Sequence, residues 1–132
     1  METACICISV RKASRKLTAL YDADLGRAGI NLAQFSLLRN IGRHGPLSLT
    51  ALSDLVELDR STLGRNVRVL ERMGLVEIGA GSDQREATLA LSSDGKSTLA
   101  AATPLWEGTQ NAIHDRLGAD GVAQLNALLG AL

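Results

Sequence analysis

Four arginines, Arg60, Arg65, Arg68 and Arg72, stand close together with Ser61, Thr62 and Asn66 among them. On a helix, Ser61, Arg65, Arg68 and Arg72 share one side, and Leu63, Val67 and Leu70 make a narrow apolar stripe on the other. Thr62 and Val69 flank the polar side. Guanidinium groups and hydroxyls are what a protein offers to phosphates and to the edges of bases. Ser61, Thr62, Arg65 and Asn66, near the leading half, are placed to reach base edges, with Arg65 best matched to guanine. Arg60, Arg68 and Arg72 suit phosphates, which position a duplex without specifying it. The competing account is a solvated surface, which is what most charged helix faces are. The surrounding elements must decide between the two.

Cys5 and Cys7 are the other side chains with chemistry to offer. On a helix they point about 200° apart by the 3.6-residue period, so they cannot share a metal there. His44 and His114 are the only histidines and no acidic cluster lies near the cysteines, so no metal site is expected. Cysteines at the edge of an apolar helix face are more commonly packing residues. From the residues alone, packing is the expectation for both. Serines, histidines and asparagines are scattered and form no set of nucleophile, base and orienting group, so no catalytic residues, no enzyme and no cofactor are expected.

The bulk properties narrow the classes. The chain has 132 residues, 45% apolar and 21% charged, as expected of one globular domain with a real core. Aromatics are 2%, too few for stacking on single-stranded nucleic acid. Net charge is zero, yet residues 1–72 hold eleven Lys/Arg against seven Asp/Glu and residues 73–132 hold three against seven. Local patches, not the total, set the field a DNA backbone feels. No segment approaches the ~20 apolar residues that span a bilayer, and no signal peptide is read at the N-terminus. A cytoplasmic location and no membrane partner are the expectation.

Stepping along the chain gives the elements that must hold the arginines. A helix is predicted from about Cys7 to Gly26, with Val10, Ala13, Leu17, Leu20 and Tyr21 on its apolar face. Asn31 caps a second helix that carries Leu32, Phe35, Leu38 and Ile41 or Leu37 inward and stops at Gly45-Pro46. After a very short strand at residues 47–49, Ser48 caps a third helix, TALSDLVEL, with Leu52, Leu55 and Val56 inward. Asp59 is the N-cap of the arginine-bearing helix and Gly74 its terminator. Val76 and Ile78, then Ala87, Leu89 and Leu91, alternate with other residues across the turn-rich GAGSDQRE, which predicts a hairpin. Ser92 or Ser93 starts a long helix to about Leu117, in which Pro104 should make a kink. A short last helix carries Val122, Leu125, Leu129 and Leu132. Leu99, Trp106 and Ile113 recur seven apart. With Val10, Leu17, Leu125 and Leu129 they exceed what a small central unit needs to cover, so pairing with a second copy is inferred.

Three strings, LDRSTLGRNVRVLERMGLVE, SDQREATLALSSDG and TPLWEGTQ, stand in this order over a chain that resembles the MarR family of winged-helix transcriptional regulators from about Cys7 to Leu132. In the family's wing pattern an Asp and an Arg two apart precede an alternating strand that ends before a Gly; here these are Asp83, Arg85, Leu89, Leu91 and Gly95. The resemblance implies a homodimer with interleaved first, fifth and sixth helices, and two winged helices set in adjacent major grooves of a pseudo-palindromic operator. It also implies release by a ligand or an oxidant. Arg85 then suits a minor groove, where narrow A/T tracts attract a cation; otherwise it is a solubilising turn-tip residue. Asp83 is more apt to brace the tip than to touch phosphate. The string CISVRKASRKLTALY is similar to the family's organic-hydroperoxide-sensing branch, whose reactive cysteine falls at Cys7, so the resemblance makes Cys7 a redox candidate beside the packing alternative. Arg11 stands where that branch has a tyrosine, and a nearby guanidinium also lowers a thiol pKa.

The fold class expected is thus mainly α with a small β-hairpin wing. It is a single domain over 1–132, with a winged helix-turn-helix at about 31–91 and dimerisation helices at about 7–28 and 93–132. The function expected is a DNA-binding regulator, most often a repressor in such families, with the 59–73 helix in the major groove and the 79–86 wing in the minor groove. Double-stranded DNA, a second copy and a small-molecule inducer are the expected partners. The alternatives are a cysteine-based oxidant sensor of the same family, and a winged-helix protein-interaction module that binds no DNA.

Overall fold

The computed structural model describes residues 3–80 and 86–132. Its first helix, α1 (Ile6–Leu25), is followed by a single tight turn over Gly26–Ala28 that ends on Gly29 at φ 79°. Asn31 begins α2 (Leu32–His44) with a reciprocal cap. Its side chain accepts from the Gln34 amide at 2.9 Å, and the Gln34 side chain accepts from the Asn31 amide at 3.0 Å. Asp22 of α1 takes the next free amide, that of Leu32, at 2.7 Å, which fixes the angle between the two helices. Phe35, Leu37, Leu38 and Ile41 are all buried along α2, so both alternatives for its inner face are used at once.

A two-residue strand, β1 (Leu47–Ser48), leads into α3 (Leu49–Val56), capped by the Ser48 hydroxyl on the Ala51 amide. This helix ends two residues before the predicted boundary because Glu57 adopts φ 55°, a left-handed conformation. Leu52 is buried, whereas Leu55 is 46% exposed rather than inward. With the chain turning at Glu57, only one side of this short helix meets the core. The next helix, α4 (Arg60–Arg72), starts three residues later on Asp59. Its stripe of Leu63, Val67 and Leu70 is almost completely buried. Each such side chain stabilises the fold by about 1.5–3 kcal/mol relative to exposure. Gly74, at φ 79°, ends the run: its amide donates to the Glu71 carbonyl and that of Leu75 to the Leu70 carbonyl.

Strands β2 (Val76–Ala80) and β3 (Ala87–Leu91) pair antiparallel, with Val76 opposite Leu91 and Ile78 opposite Leu89. Strand β1 adds to the other edge of β3, giving the order β1-β3-β2. The sheet therefore also ties the wing to the segment before α3. The last element, α5 (Ser93–Gly130), holds helical backbone angles through Pro104. It breaks at Gly118, beside the Leu117 boundary expected from the sequence, and the φ 73° and ψ 163° there suit a residue without Cβ. A proline removes one amide from a long helix flanked by complete turns, whereas Gly118 leaves helical space altogether.

The core joins α1, α2, α3, α4, the sheet and α5 around Leu25, Leu38, Ile41, Leu52, Leu63, Leu70 and Leu89. Trp106 of α5 stacks on Phe35 of α2, with centroids 5.8 Å apart, and the Arg39 guanidinium lies 4.6 Å from the Trp106 ring centroid. Helices α1 and α5 are locked by two side-chain pairs: the Tyr21 hydroxyl donates to Gln110, and the Thr109 hydroxyl donates to Asp24. Burial pushes the Tyr21 phenol pKa up. The architecture is a mainly helical winged helix-turn-helix with long helices before and after it.

Candidate nucleic-acid interface

The buried stripe of α4 dictates what its other side shows. Once Leu63, Val67 and Leu70 face the core, Arg60, Ser61, Arg65, Arg68 and Arg72 are left exposed on the outer face. These five, with Gly64, line a groove of about 660 Å³ whose far wall is formed by Ile78, Ala87 and Leu89 of the hairpin. The helix and hairpin thus present one surface, with cations along one bank. The Arg68 guanidinium lies 3.6 Å from Glu71, an exposed contact of little strength. Among the described residues no other ion pair engages an arginine of this face.

The first turn is held by Asp59. Its carboxylate accepts from the Thr62 amide at 2.7 Å, from the Ser61 hydroxyl at 2.7 Å and from the Thr62 hydroxyl at 2.9 Å. These bonds, the Thr62 amide foremost, hold its pKa down from the ordinary 3.8 to about 2, with a smaller contribution from the Arg65 charge. The Arg65 Nη2 donates to the Thr62 hydroxyl oxygen at 3.4 Å. Position by position, the structure gathers Arg60, Ser61, Arg65, Arg68 and Arg72 on the groove. Asn66, half-buried, instead lines a small cavity with Asn31, Gln34 and Leu37 of α2. Asp83 and Arg85, expected at the wing tip, lie outside the described residues. At the root of that wing Glu86 accepts from the Thr50 hydroxyl of α3 at 2.6 Å, a tie between hairpin and helix that no sequence pattern pointed to.

The expected dimer residues fall into two sets. Val10, Leu17, Leu125 and Leu129 are exposed on α1 and on α5 beyond Gly118. Leu99, Trp106 and Ile113 are half-buried, and Trp106 spends part of its surface on Phe35 within the chain. Leu99, Trp106 and Phe35, with Arg39, Arg43 and Lys96, line a cleft of about 810 Å³ between α2 and α5. Cys5 and Cys7 are both exposed free thiols at the start of α1. Among the described residues, no three metal-ligating side chains gather in one place.

Known proteins match this architecture. A model described as MarR family matches residues 28–86, which hold α2 to β2 and end just before β3. Comparison with curated proteins gives no match. Among solved structures, the chain is similar to the M. tuberculosis transcriptional regulator MosR in complex with DNA, at 34% identity and TM-score 0.85, over 97% of this chain and 95% of that one. A probable transcriptional regulator from Pseudomonas aeruginosa aligns at 25% identity and TM-score 0.87, over 96% and 95% of the two chains. A mutant MarR from E. coli, complexed with operator DNA, shares the fold at TM-score 0.88 and 23% identity, over 96% of this chain and 91% of that one. With a relative of 34% identity aligned over nearly its whole length, and the family model on the winged unit, the chain belongs to the MarR family of winged-helix transcriptional regulators.

Proposed function

We propose that this chain is a homodimeric repressor that binds a pseudo-palindromic operator, with α4 in the major groove and the 79–86 wing in the minor groove. The observation that carries it is the groove between α4 and the hairpin, in which Arg60, Arg65, Arg68 and Arg72 stand on one face. The relatives MosR and MarR, each solved with DNA, support the same use of the fold. Arg65 reads a base edge, while Arg60, Arg68 and Arg72 hold phosphates and Arg85 enters the minor groove. Apolar side chains left exposed on α1 and on the end of α5 supply the surface for a second copy. A cytoplasmic location follows from the DNA partner. No helix among the described residues is long and apolar enough to cross a membrane.

The test is a gel-shift titration against the DNA beside the encoding gene, repeated across a range of salt. Phosphate contacts make affinity fall steeply as salt rises, whereas a protein-interaction module shows no such binding. Arg65→Ala is expected to weaken operator binding by about 1–3 kcal/mol. Unchanged affinity removes Arg65 from the interface.

Release of the operator has two supported routes. The cleft between α2 and α5, with Arg39, Arg43 and Lys96 around Phe35 and Trp106, fits an anionic inducer with an apolar body. The exposure of Cys7 one turn before Arg11 supports an oxidant as the signal. Treatment with a hydroperoxide before the DNA titration separates them, since retained binding excludes Cys7.

A further inference from the structure

In the leading turn of α4 the hydroxyl protons are already committed. Asp59 accepts from both Ser61 and Thr62, and a carboxylate has no proton to return, so the direction of both bonds is forced. The depressed Asp59 pKa keeps this arrangement at any pH near neutrality. A hydroxyl has one proton and two acceptor sites, so with the proton spent it can only accept from a third group. The Thr62 oxygen takes Arg65 in this way. Ser61 is exposed on the groove beside Arg60, Gly64 and Arg65, and among the described residues its oxygen makes no bond but the one it donates to Asp59. Phosphate oxygens, guanine O6 and N7, and thymine O4 are all acceptors and give it nothing. The donors of the major groove are adenine N6 and cytosine N4.

We infer that Asp59 is a specificity-determining residue. By holding the Ser61 and Thr62 hydroxyls in the donating direction, it makes the leading edge of α4 an acceptor of exocyclic amino groups, adenine N6 or cytosine N4, beside the guanine-matched donor Arg65. The inference rests on α4 being the groove-entering helix. Asp59 acts through its neighbours and need not touch DNA.

The experiment selects half-sites from random duplexes with the wild-type protein, Ser61→Ala and Asp59→Asn, then deletes single base groups in the wild-type site. Replacing one adenine by purine, or one cytosine by pyrimidin-2-one, is expected to lower wild-type affinity about tenfold, the scale of one lost base contact. The same replacement leaves the affinity of Ser61→Ala unchanged. Asp59→Asn retains a helix cap, since Asn serves there as well as Asp, but it has one acceptor oxygen in place of two. A freed hydroxyl proton then shifts the selected base toward one that presents guanine O6 or thymine O4 on the contacted strand. The inference is overturned if both variants select the wild-type site at wild-type affinity, or if Ser61→Ala couples to deletion of a base carbonyl instead. Loss of affinity in Arg65→Ala alongside such silent variants leaves the groove-entering helix standing and removes only the role of Asp59. A wild-type protein that selects no duplex removes both.

Discussion

Asp59 begins α4 because a carboxylate one residue before a helix satisfies free amides, and the same oxygens gather two hydroxyls. Its folded pKa lies below its ordinary value, so its contribution to stability is fully present above pH 3.8 and is lost as pH falls toward 2. The thermal midpoint of the wild type should therefore decline relative to Asp59→Asn, whose cap does not titrate, across that window. Parallel midpoint curves from pH 5 to pH 2 would show that the cap is not held by the charge. At this scale much was legible in advance. A helical wheel sorted Arg65, Arg68 and Arg72 from Leu63, Val67 and Leu70, because a period of 3.6 needs no partner to be counted. Asn66 lies between the two faces, half-buried beside α2, where a period alone assigns it to neither.

Between elements, the end of α4 and the segment leading into β2 lie hard against the start of α5. The Ser92 hydroxyl donates to the Gly74 carbonyl at 2.5 Å, its amide donates to the Leu75 carbonyl at 3.1 Å, and its oxygen caps the Gly95 amide at 3.0 Å. The end of α4 is thus bonded to the start of α5. Gly95 has no room for a side chain: a Cβ there would stand 2.0 Å from the Leu75 carbonyl oxygen. That oxygen is backbone and cannot swing aside. Gly95→Ala should destabilise the fold by about 1–3 kcal/mol, the range for overpacking, read as a lower denaturant midpoint. A midpoint equal to that of the wild type would mean α5 can slide away from Leu75 freely. The glycine stood out in the sequence only as part of a wing pattern. Its cause is a contact across twenty residues that no local spacing shows.

Across the molecule, α1 and the end of α5 present Val10, Leu17, Leu125 and Leu129 to solvent while a separate core is complete without them. Under the proposed dimer these residues are its interface, and two DNA-reading heads are held at one spacing. Leu125→Ser with Leu129→Ser should convert the dimer to a monomer by light scattering. Operator affinity should fall with it, because one head then binds without the other. A variant that stays dimeric with full affinity would place the interface elsewhere.

The sequence by itself determined the helices, their caps and the two faces of α4, because caps and periodicity are local properties of neighbouring residues. It also showed that the flanking helices are more apolar than the central unit requires. Tertiary structure alone decided that β1 joins the wing by pairing with β3 and that Leu55 faces outward. It decided too which side chains share the groove. The strand pairing, the outward face and the shared groove depend on what lies across from a residue, and that partner is set only when the chain has folded back on itself.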